Sequence, residues 1–283
     1  MQFSMLFFDI DGTLISPDHF TLSPRNRRAL KMAQEAGIRL CIASGRCLGI
    51  CPQEVLDFGF DYAITSNGAA IRDLKTGKRL HFTHIPAEDA RVAYDVMRDR
   101  ADFLEWFVDD GILLTRAHHD LIGRRELPPW HQRYFDQGNT PVVDRMEDFF
   151  DAGAPGLEKI NLVCYDPALI AAFRRELAAL RRFDLSSSLG RGLEIGIPGC
   201  TKGAAIRRLC TLTGIDPAAT AAFGDAENDL EMLHTVGCGV AMGNAPASVK
   251  AAADRVTARY DEDGVAAFIE GMLKEGERGG RAF

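Results

Sequence analysis

The chain has 283 residues, of which 46% are hydrophobic, and its 33 basic and 40 acidic side chains give a net charge of −7. This length is enough for one large domain or two ordinary ones, and the apolar content supports a sizeable core. The acidic balance argues against a large nucleic-acid-binding surface, and the lack of an apolar run approaching about 18 residues argues against a membrane span.

Strands and helices alternate at the start of the sequence. The predicted elements are a strand from Met5 to the aspartate at position 9, a helix from Ser23-Pro24 to Gly37, a strand at 38–43, a helix ending near Phe58, a strand at 61–65 and a hairpin of 70–74 and 78–82. Each of the three strands ends in small polar residues, and helices fill the two gaps between them. This is the βαβ pattern of a parallel sheet, whose ligand site lies at the carboxyl ends of its strands.

The pattern changes between residues 84 and 197. The predicted elements are a helix at 86–100, strands at 103–108 and 112–115, an irregular stretch at 116–140, a strand at 157–164, a helix at 167–182 and a strand pair at 183–188 and 193–197. Helices that alternate with paired strands indicate an α+β module. We therefore predict an α/β fold in which 1–83 and 198–283 form a Rossmann-like parallel-sheet core with helices on both faces, and 84–197 form an inserted α+β domain.

The parallel-sheet pattern returns after Pro198-Gly199. The predicted elements are a helix at 202–212, a strand at 219–223, a helix at 230–235, a strand at 238–242, helices at 246–252 and 264–274, and a loose tail at 276–283. The strand at 219–223 ends in Gly224-Asp225, which adds a polar cluster at the expected ligand edge of the sheet.

Seven cysteines are an odd number, and most of them lie in apolar surroundings. We predict reduced core residues of a cytoplasmic protein, and the N-terminus lacks the basic region and cleavage site of a signal peptide. Cys47 and Cys51 are one helical turn apart, which is also the spacing of a redox or metal pair. Because no second Cys/His pair stands at zinc spacing, helix packing is the favoured interpretation.

Two aspartates, Asp9 and Asp11, end the first apolar run and precede Gly12. Alternation along an extended chain puts both side chains on the same side. Two such carboxylates repel each other unless a cation or a shared proton lies between them. The pair is typical of a Mg²⁺-supported carboxylate nucleophile with a carboxyl acid/base beside it, although a strand followed by an Asp-Gly turn is an alternative on these residues alone.

Four polar clusters fall at the ends of the predicted sheet elements: Asp9 with Asp11, Ser44, Lys202, and Asp225 with its neighbours. A phosphoryl-transfer site needs a nucleophile, a divalent cation held by oxygen ligands, and donors for the phosphate oxygens. The carboxylates of Asp9 and Asp225 and the backbone carbonyl of Asp11 can supply oxygen ligands of the kind Mg²⁺ prefers. Ser44 as a helix N-cap and Lys202 as a solvated lysine are the alternatives.

Six motifs carry a resemblance to a known family. They are Asp9-Ile-Asp11-Gly-Thr13-Leu, Ser44-Gly45-Arg46, Ser66-Asn67-Gly68-Ala69, Thr201-Lys202-Gly203, Gly224-Asp225-x-x-Asn228-Asp229 and Met242-Gly243-Asn244-Ala245. In this order they resemble haloacid dehalogenase-like (HAD) hydrolases, and most of all the Cof-type phosphatases, in which a C2-type (IIB) cap is inserted between the second and third catalytic motifs. The resemblance covers about 1–83 and 198–274; Ala226 and Cys200 depart from the usual pattern without removing a catalytic group.

The resemblance implies a role for each matched residue. Asp9 would attack phosphorus and form an aspartyl-phosphate, and Asp11 would protonate the leaving oxygen and then activate water. The other implied roles are phosphate binding by Thr13, Ser44, Gly45 and Lys202, Mg²⁺ binding by Asp9, Asp11 and Asp225, support of the metal or substrate by Asn228 and Asp229, and substrate contacts by Arg46 and Asn67. An acid at position 11 argues against dehalogenation, because a halide leaves without a proton.

We expect a Mg²⁺-dependent phosphatase that acts on small phosphorylated metabolites such as sugar phosphates or a nucleotide-derived cofactor. A phosphotransferase or mutase with the same intermediate is an alternative, and a phospho-aspartate signalling module is a weaker one. The cap is expected to close over the site, with crossings near 82–86 and 195–199. No nucleic acid or membrane partner is expected, and the sequence leaves open a monomer or a homodimer.

The predicted cap offers weaker signals. Its histidines lack paired spacing, so solvated or substrate-gating histidines are favoured over a metal site. The histidines concerned are His118, His119 and His131. Trp130 and Tyr134 are candidates for the mouth of the active site. Glu194 could contact the substrate or occupy an ordinary strand position.

Overall fold

The computed structural model describes residues 3–122, 129–137, 140–187 and 192–279. The strands are β1 (Met5–Phe8), β2 (Arg39–Ala43), β3 (Tyr62–Thr65), β4 (Ala70–Asp73), β5 (Arg79–Phe82), β6 (Phe103–Val108), β7 (Gly111–Thr115), β8 (Val142–Val143), β9 (Leu157–Val163), β10 (Asp184–Ser186), β11 (Gly192–Gly196), β12 (Thr220–Gly224), β13 (Cys238–Ala241) and β14 (Arg255–Val256). The helices are α1 (Pro24–Glu35), α2 (Gln53–Leu56), α3 (Ala87–Met97), α4 (Arg116–His119), α5 (Pro129–Gln137), α6 (Met146–Asp151), α7 (Pro167–Ala179), α8 (Lys202–Thr213), α9 (Leu230–Thr235), α10 (Ala247–Ala252) and α11 (Gly264–Gly279).

The chain divides into two compact units. The first unit comprises Met1–Ser44, Pro52–Leu80 and Thr201–Phe283, and the second comprises Gly45–Cys51 and His81–Cys200. The predicted domain boundaries, with an inserted domain at 84–197, stay a prediction. Among the described residues, no helix combines the length and apolar character needed to cross a bilayer.

The first unit is built on a sheet with the strand order β14-β13-β12-β1-β2-β3-β4-β5. The strands from β14 to β3 run parallel to one another, and β4 pairs antiparallel with β3. Phe8, the last residue of β1, lies opposite Phe223 of β12 and Ile42 of β2. The carboxyl ends of these three neighbouring strands therefore reach the same edge of the sheet.

The central strands are apolar apart from Arg39 and Thr220 at their starts, because both faces of the sheet are covered. Phe8 stacks on Phe223 with ring centroids 5.0 Å apart, and Phe223 meets Phe268 of α11 at 5.2 Å. On the other face, Phe7 belongs to a buried cluster with Ile206 of α8 and other apolar side chains. A strand buried on both faces reads as a continuous apolar run, which is why β1 was recognisable from its sequence.

The second unit contains a sheet with the strand order β10-β11-β9-β6-β7-β8. One set of side chains, including Trp106 and Ile160, forms an apolar core with Phe173 of α7 and other helical residues. The alternate positions carry buried polar residues. Lys159 donates to the backbone oxygen of Gly45 at 2.6 Å, and its Nζ lies 3.3 Å from Glu194 Oε1.

The prediction of one helix ending near Phe58 is wrong. Residues 48–50 form a single helical turn, and α2 covers only Gln53–Leu56. Pro52 separates the two, because proline lacks the N–H that a continuous helix requires. The Gly49 N–H donates to the Asp110 backbone oxygen at 2.9 Å, so this turn is held against the β6–β7 connection of the second unit.

Other predicted elements also differ from the structure. The stretch 116–140 is not wholly irregular, since it contains α4 and α5, and Thr115 caps α4 by accepting from the His118 N–H at 3.2 Å. Helix α11 continues through Gly279 and shortens the predicted tail, and α6, β8 and β14 were not predicted. Positions outside the described residues are 123–128 and 138–139 of that stretch, 188 of the predicted strand and 280–283 of the tail.

Candidate active site

Asp9 directly follows β1 at the carboxyl edge of the first unit's sheet. Its N–H donates to the Phe223 backbone oxygen at 3.0 Å, which extends the parallel pairing by one residue beyond the strand. The side chain is buried, and Asp9 Oδ1 accepts a hydrogen bond from Lys202 Nζ at 2.6 Å. Burial raises the pKa of Asp9 well above its ordinary value, although the Lys202 ammonium acts in the opposite direction.

Lys202 joins two of the buried carboxylates. It is the first residue of α8, where the Thr201 hydroxyl caps the helix by accepting from the Ala204 N–H at 3.1 Å. Its fully buried Nζ lies 2.6 Å from Asp9 Oδ1 and 2.6 Å from Asp229 Oδ1. Burial by itself lowers the pKa of Lys202, but the Asp229 and Asp9 carboxylates outweigh it and the net pKa is raised, so the lysine is cationic.

Asp229 organises the loop that follows β12. Its Oδ1 accepts from Lys202, and its Oδ2 accepts from the backbone N–H groups of Asp225 at 2.8 Å and Ala226 at 3.0 Å. A Cβ added to Gly224 would lie 2.5 Å from the Asp229 Cβ, so glycine is needed for this close approach. Both carboxylate oxygens of Asp229 thus accept hydrogen bonds from N–H donors, and this side chain fixes the position of Asp225.

Asp225 is held from two other parts of the chain. Thr13 Oγ1 donates to Asp225 Oδ1 at 3.1 Å, and Asn244 Nδ2 donates to Asp225 Oδ2 at 3.0 Å. Asn244 Nδ2 also lies 2.9 Å from the Gly12 backbone oxygen, so one amide joins Asp225 to the turn after β1. Burial and the Asp229 carboxylate raise the pKa of Asp225 to about 7, against the lowering effect of the Thr13 hydrogen bond.

Gly12 is required by its backbone and by its surroundings. Its φ is +74°, in the left-handed region that favours glycine. A Cβ built on Gly12 would lie 2.4 Å from Asp225 Oδ2. Any other residue at this position would therefore displace the Asp225 carboxylate.

The residues of this site fit a divalent cation. One carboxylate oxygen from each of Asp9, Asp225 and Asp229 lies within 4.8 Å of the others. The cluster offers oxygen donors only, which is the donor set of a hard cation such as Mg²⁺ or Ca²⁺. Burial first, and the neighbouring carboxylates after it, raise the pKa values of Asp9 and Asp225, so an added cation would stabilise their ionised forms.

Asp11 is two residues from Asp9, and Ser44 directly follows β2, the strand that pairs with β1. Asp11 Oδ1 is 2.8 Å from His19 Nδ1, and its side chain is 20% exposed. The Ser44 N–H donates to the Ile64 backbone oxygen at 2.9 Å, and the Ser44 backbone oxygen accepts from the Asn67 N–H at 3.0 Å. Ser44 is buried and is not an N-cap, because the next helical turn begins at residue 48.

The two predicted asparagines contact each other. Asn228 Nδ2 donates to Asn67 Oδ1 at 3.1 Å, and Asn67 has a φ of +55°, a left-handed conformation that asparagine tolerates better than most residues. Asn228 Oδ1 is buried and has no hydrogen-bond partner in the described part of the chain. An acceptor in this state suits a bound cation, its water or a substrate donor.

Gly45 and Arg46 belong to the second unit, and their predicted contacts with phosphate and substrate stay predictions. Arg46 is buried, donates to the Ile50 backbone oxygen at 3.0 Å and lies over the Tyr134 ring at 4.5 Å. Tyr134 is itself buried, and Glu194 pairs with Lys159. The side chains of Trp130 and His131 lie outside those that the structure describes.

Three contributions to the site were not predicted from the sequence. They are the contact of His19 with Asp11, the two hydrogen bonds donated by Asn244, and the close approach of Asp225 to Gly12. Asn244 belongs to one of the matched motifs, but the sequence assigns it no role in the site. An asparagine that only occupies a turn and an asparagine whose amide positions a ligand cannot be distinguished from the local sequence.

Comparisons with known proteins agree with this geometry. The sequence model of haloacid dehalogenase-like hydrolases matches residues 6–269. The HMP-PP phosphatase of Serratia proteamaculans (strain 568) is 30% identical over 286 residues, which cover 96% of this chain and 96% of that protein. The 5-amino-6-(5-phospho-D-ribitylamino)uracil phosphatase of Bacillus subtilis (strain 168) is 29% identical over 94% of this chain and 96% of its own length.

A solved structure of similar fold is that of a sugar phosphatase of HAD subclass IIB. It matches with a TM-score of 0.80 at 26% sequence identity and covers 95% of this chain and 98% of that chain. The predicted fold class and the predicted resemblance are both confirmed by these matches.

Proposed function

Because the chain belongs to the haloacid dehalogenase-like hydrolase family, we propose that it is a phosphatase that forms an aspartyl-phosphate on Asp9. The observation that carries this proposal is the placement of Asp9 at the end of β1. There a buried carboxylate is bound by Lys202 and lies beside the carboxylate of Asp225. A conformationally fixed carboxylate whose ionised form is favoured by a neighbouring ammonium is suited to act as a nucleophile.

In the first step, a carboxylate oxygen of Asp9 forms a bond to phosphorus and the bond from phosphorus to the ester oxygen breaks. Lys202 holds the nucleophile in place through Oδ1, and its charge also favours the phosphate oxygens. Asp11 gives its carboxyl proton to the departing oxygen, so the alcohol leaves in neutral form. In the second step, Asp11 takes a proton from water as that water attacks the aspartyl-phosphate, which restores Asp9 and releases phosphate.

The cation we assign to this site is Mg²⁺, held by the carboxylates of Asp9 and Asp225 and the backbone oxygen of Asp11. When bound, it supplies positive charge that neutralises the phosphate oxygens and the carboxylates around them. Asp229 and Asn228 support the loop that carries Asp225. We assign phosphate contacts to Thr13, Ser44 and Gly45, and substrate contacts to Arg46 and Asn67.

The proposed substrates are small phosphorylated metabolites of the cytoplasm. The relatives named above act on different phosphorylated compounds. The phosphate ester group is therefore the feature that the substrate of this chain would share with theirs. Sugar phosphates and nucleotide-derived cofactor intermediates are the first classes to screen. All seven cysteines are free thiols, which agrees with a reducing compartment.

The test of this proposal is phosphate release from p-nitrophenyl phosphate after treatment with EDTA and again after addition of Mg²⁺. We expect turnover only with the added cation, and we expect it without any acceptor sugar. Activity that survives EDTA unchanged would contradict the metal assignment. A requirement for an acceptor would favour a phosphotransferase over a hydrolase.

Metal binding is expected to weaken as the pH falls below about 7. Burial and Asp229 raise the pKa of Asp225 to about 7, so below this pH the cation must displace a proton from the Asp225 carboxyl group. The rise in Tm caused by a fixed concentration of Mg²⁺ should therefore be larger at pH 8 than at pH 6. Thermal denaturation with and without Mg²⁺ at both pH values measures this, and an equal rise would contradict the assignment of Asp225 as a ligand.

Replacement of Asn244 should weaken metal binding although Asn244 is not itself a proposed ligand. Its amide donates to Asp225 Oδ2 and to the Gly12 backbone oxygen, so Asn244→Ala leaves both groups without this donor. Loss of such a supporting contact lowers metal affinity by about 10–100-fold. Activity measured against Mg²⁺ concentration would show the shift, with the exposed Ser248→Ala on α10 as a control that should match the wild type.

A further inference from the structure

His19 makes a direct contact with the proposed acid/base. His19 Nδ1 lies 2.8 Å from Asp11 Oδ1, and the two side chains are 22% and 20% exposed. An imidazole nitrogen can donate to a carboxylate or accept from a carboxyl group, depending on its tautomer. The same contact can therefore be made by both forms of Asp11 that the proposed reaction requires.

The backbone of His19 lies in the left-handed region, which is uncommon for residues other than glycine although histidine enters it more often than most. Its φ is +64°, a region in which the Cβ of an L-residue crowds the backbone. Strain of this kind persists where the surrounding structure enforces it, and it is concentrated at functional positions.

Hydrogen bonds within the loop around His19 hold its backbone in this conformation. The His19 N–H donates to the Ser16 backbone oxygen at 2.9 Å, and Asp18 Oδ1 accepts from the N–H groups of Phe20 at 3.0 Å and Thr21 at 2.9 Å. Phe20 is buried, which anchors the far side of the turn in the core of the first unit. The imidazole is thus presented to Asp11 from a turn that is fixed on both sides.

We infer that His19 is a positioning residue that orients the Asp11 carboxyl group for proton transfer to the leaving oxygen. This inference rests on the proposed function. Orientation matters for this step because a general acid must lie within hydrogen-bond reach of the atom that it protonates. The contact with His19 restricts the conformations of the Asp11 side chain on this partly exposed turn.

The dependence of rate on the leaving group separates this role from a structural one. Phenyl phosphate has a poorer leaving group than p-nitrophenyl phosphate and depends more on protonation of the departing oxygen. For His19→Ala we expect kcat/KM to fall by about tenfold or more with phenyl phosphate and by only about twofold with p-nitrophenyl phosphate. An equal loss with both substrates, or no loss, would overturn the inference.

Two further variants keep this test decisive. Asparagine carries Nδ2 on the same Cγ position as the histidine Nδ1 and tolerates positive φ, so His19→Asn should restore the wild-type ratio between the substrates. Thr21→Ser changes an exposed side chain of the same turn but keeps the hydroxyl that donates to Asp18, and it should also retain that ratio. An asparagine variant that behaves like His19→Ala, or a Thr21 variant that reproduces its ratio, would contradict the assigned role.

The proposed function and this inference can fail separately. Loss of turnover in Asp9→Asn tests the phosphatase, whereas the ratio between the two aryl phosphates tests only His19. In an Asp11→Asn background, His19→Ala should cause no further change in that ratio, because the group that it positions is gone. An additional change in the double variant would show that His19 acts other than through Asp11.

Discussion

Asp9→Asn is expected to lower kcat/KM for p-nitrophenyl phosphate by at least about 10³-fold, as is typical when a catalytic nucleophile is removed. The amide is a far weaker nucleophile than the carboxylate and does not yield a stable acyl-phosphate. The substitution preserves the shape of the side chain, and its Oδ1 can still accept from Lys202. The loss should therefore appear in turnover and not in folding.

Stability provides the internal check on this variant. Burial raises the pKa of Asp9 above its unfolded value, so ionised Asp9 costs stability at pH values above the unfolded pKa. Removal of the charge should leave the Tm at neutral pH unchanged or higher. The exposed Asp57→Asn variant, on the turn after α2, is the matched control and should keep full activity.

Trapping experiments give a second measurement of the nucleophile. Acid quenching during turnover of a ³²P-labelled aryl phosphate should leave label on the wild-type protein and none on Asp9→Asn. Wild-type activity in Asp9→Asn, or label on that variant, would contradict the assignment of Asp9.

Lys202→Met should destabilise the first unit by about 3–5 kcal/mol, the usual effect of removing one partner from a buried ion pair. Lys202 is fully buried between Asp9 and Asp229, and methionine fills a similar volume without supplying a charge. The two carboxylates would then face each other without the ammonium that separates them. Activity should also be lost, because the nucleophile loses the donor that fixes its position.

The stability defect of Lys202→Met should depend on pH. The lysine lowers the pKa of Asp9 against the effect of burial, so its removal raises that pKa further. Between the unfolded and folded pKa values the folded state binds more protons, and stability falls as the pH rises through this window. Urea denaturation at pH 5 and pH 8, with the exposed Lys31→Met of α1 as control, should show the larger defect at pH 8. Equal defects at both pH values would contradict the buried charge pair.

The parallel sheet was predictable because its strands are buried on both faces. Residues such as Phe7 and Phe8 follow one another without alternation, and each strand of the first unit is followed by residues suited to turns. The predicted aspartates could be placed together for the same reason, since parallel strands bring their carboxyl ends to one edge. Sequence order and strand direction were sufficient for that part of the site.

The positioning contacts were not predictable in this way. Asn244 reaches Gly12 across 232 positions in the chain, and nothing in the local sequence of either residue specifies the other. The helix expected before Phe58 is interrupted at Pro52, a signal that is present in the sequence, but the contact of Gly49 with Asp110 is long-range and local propensity does not contain it. In the second unit, Lys159 and Glu194 are buried on a strand face where polar residues would ordinarily indicate solvent.

Strand β1 lies between β2, which follows it closely in sequence, and β12, which is more than 200 positions away. During synthesis, β2 can pair with β1 early, while the opposite edge of β1 has no partner until the last third of the protein has left the ribosome. An apolar strand with one open edge is prone to join other chains. Any form of this protein that lacks β12 thus exposes an apolar strand edge, so truncations before residue 220 should aggregate more readily than the full chain.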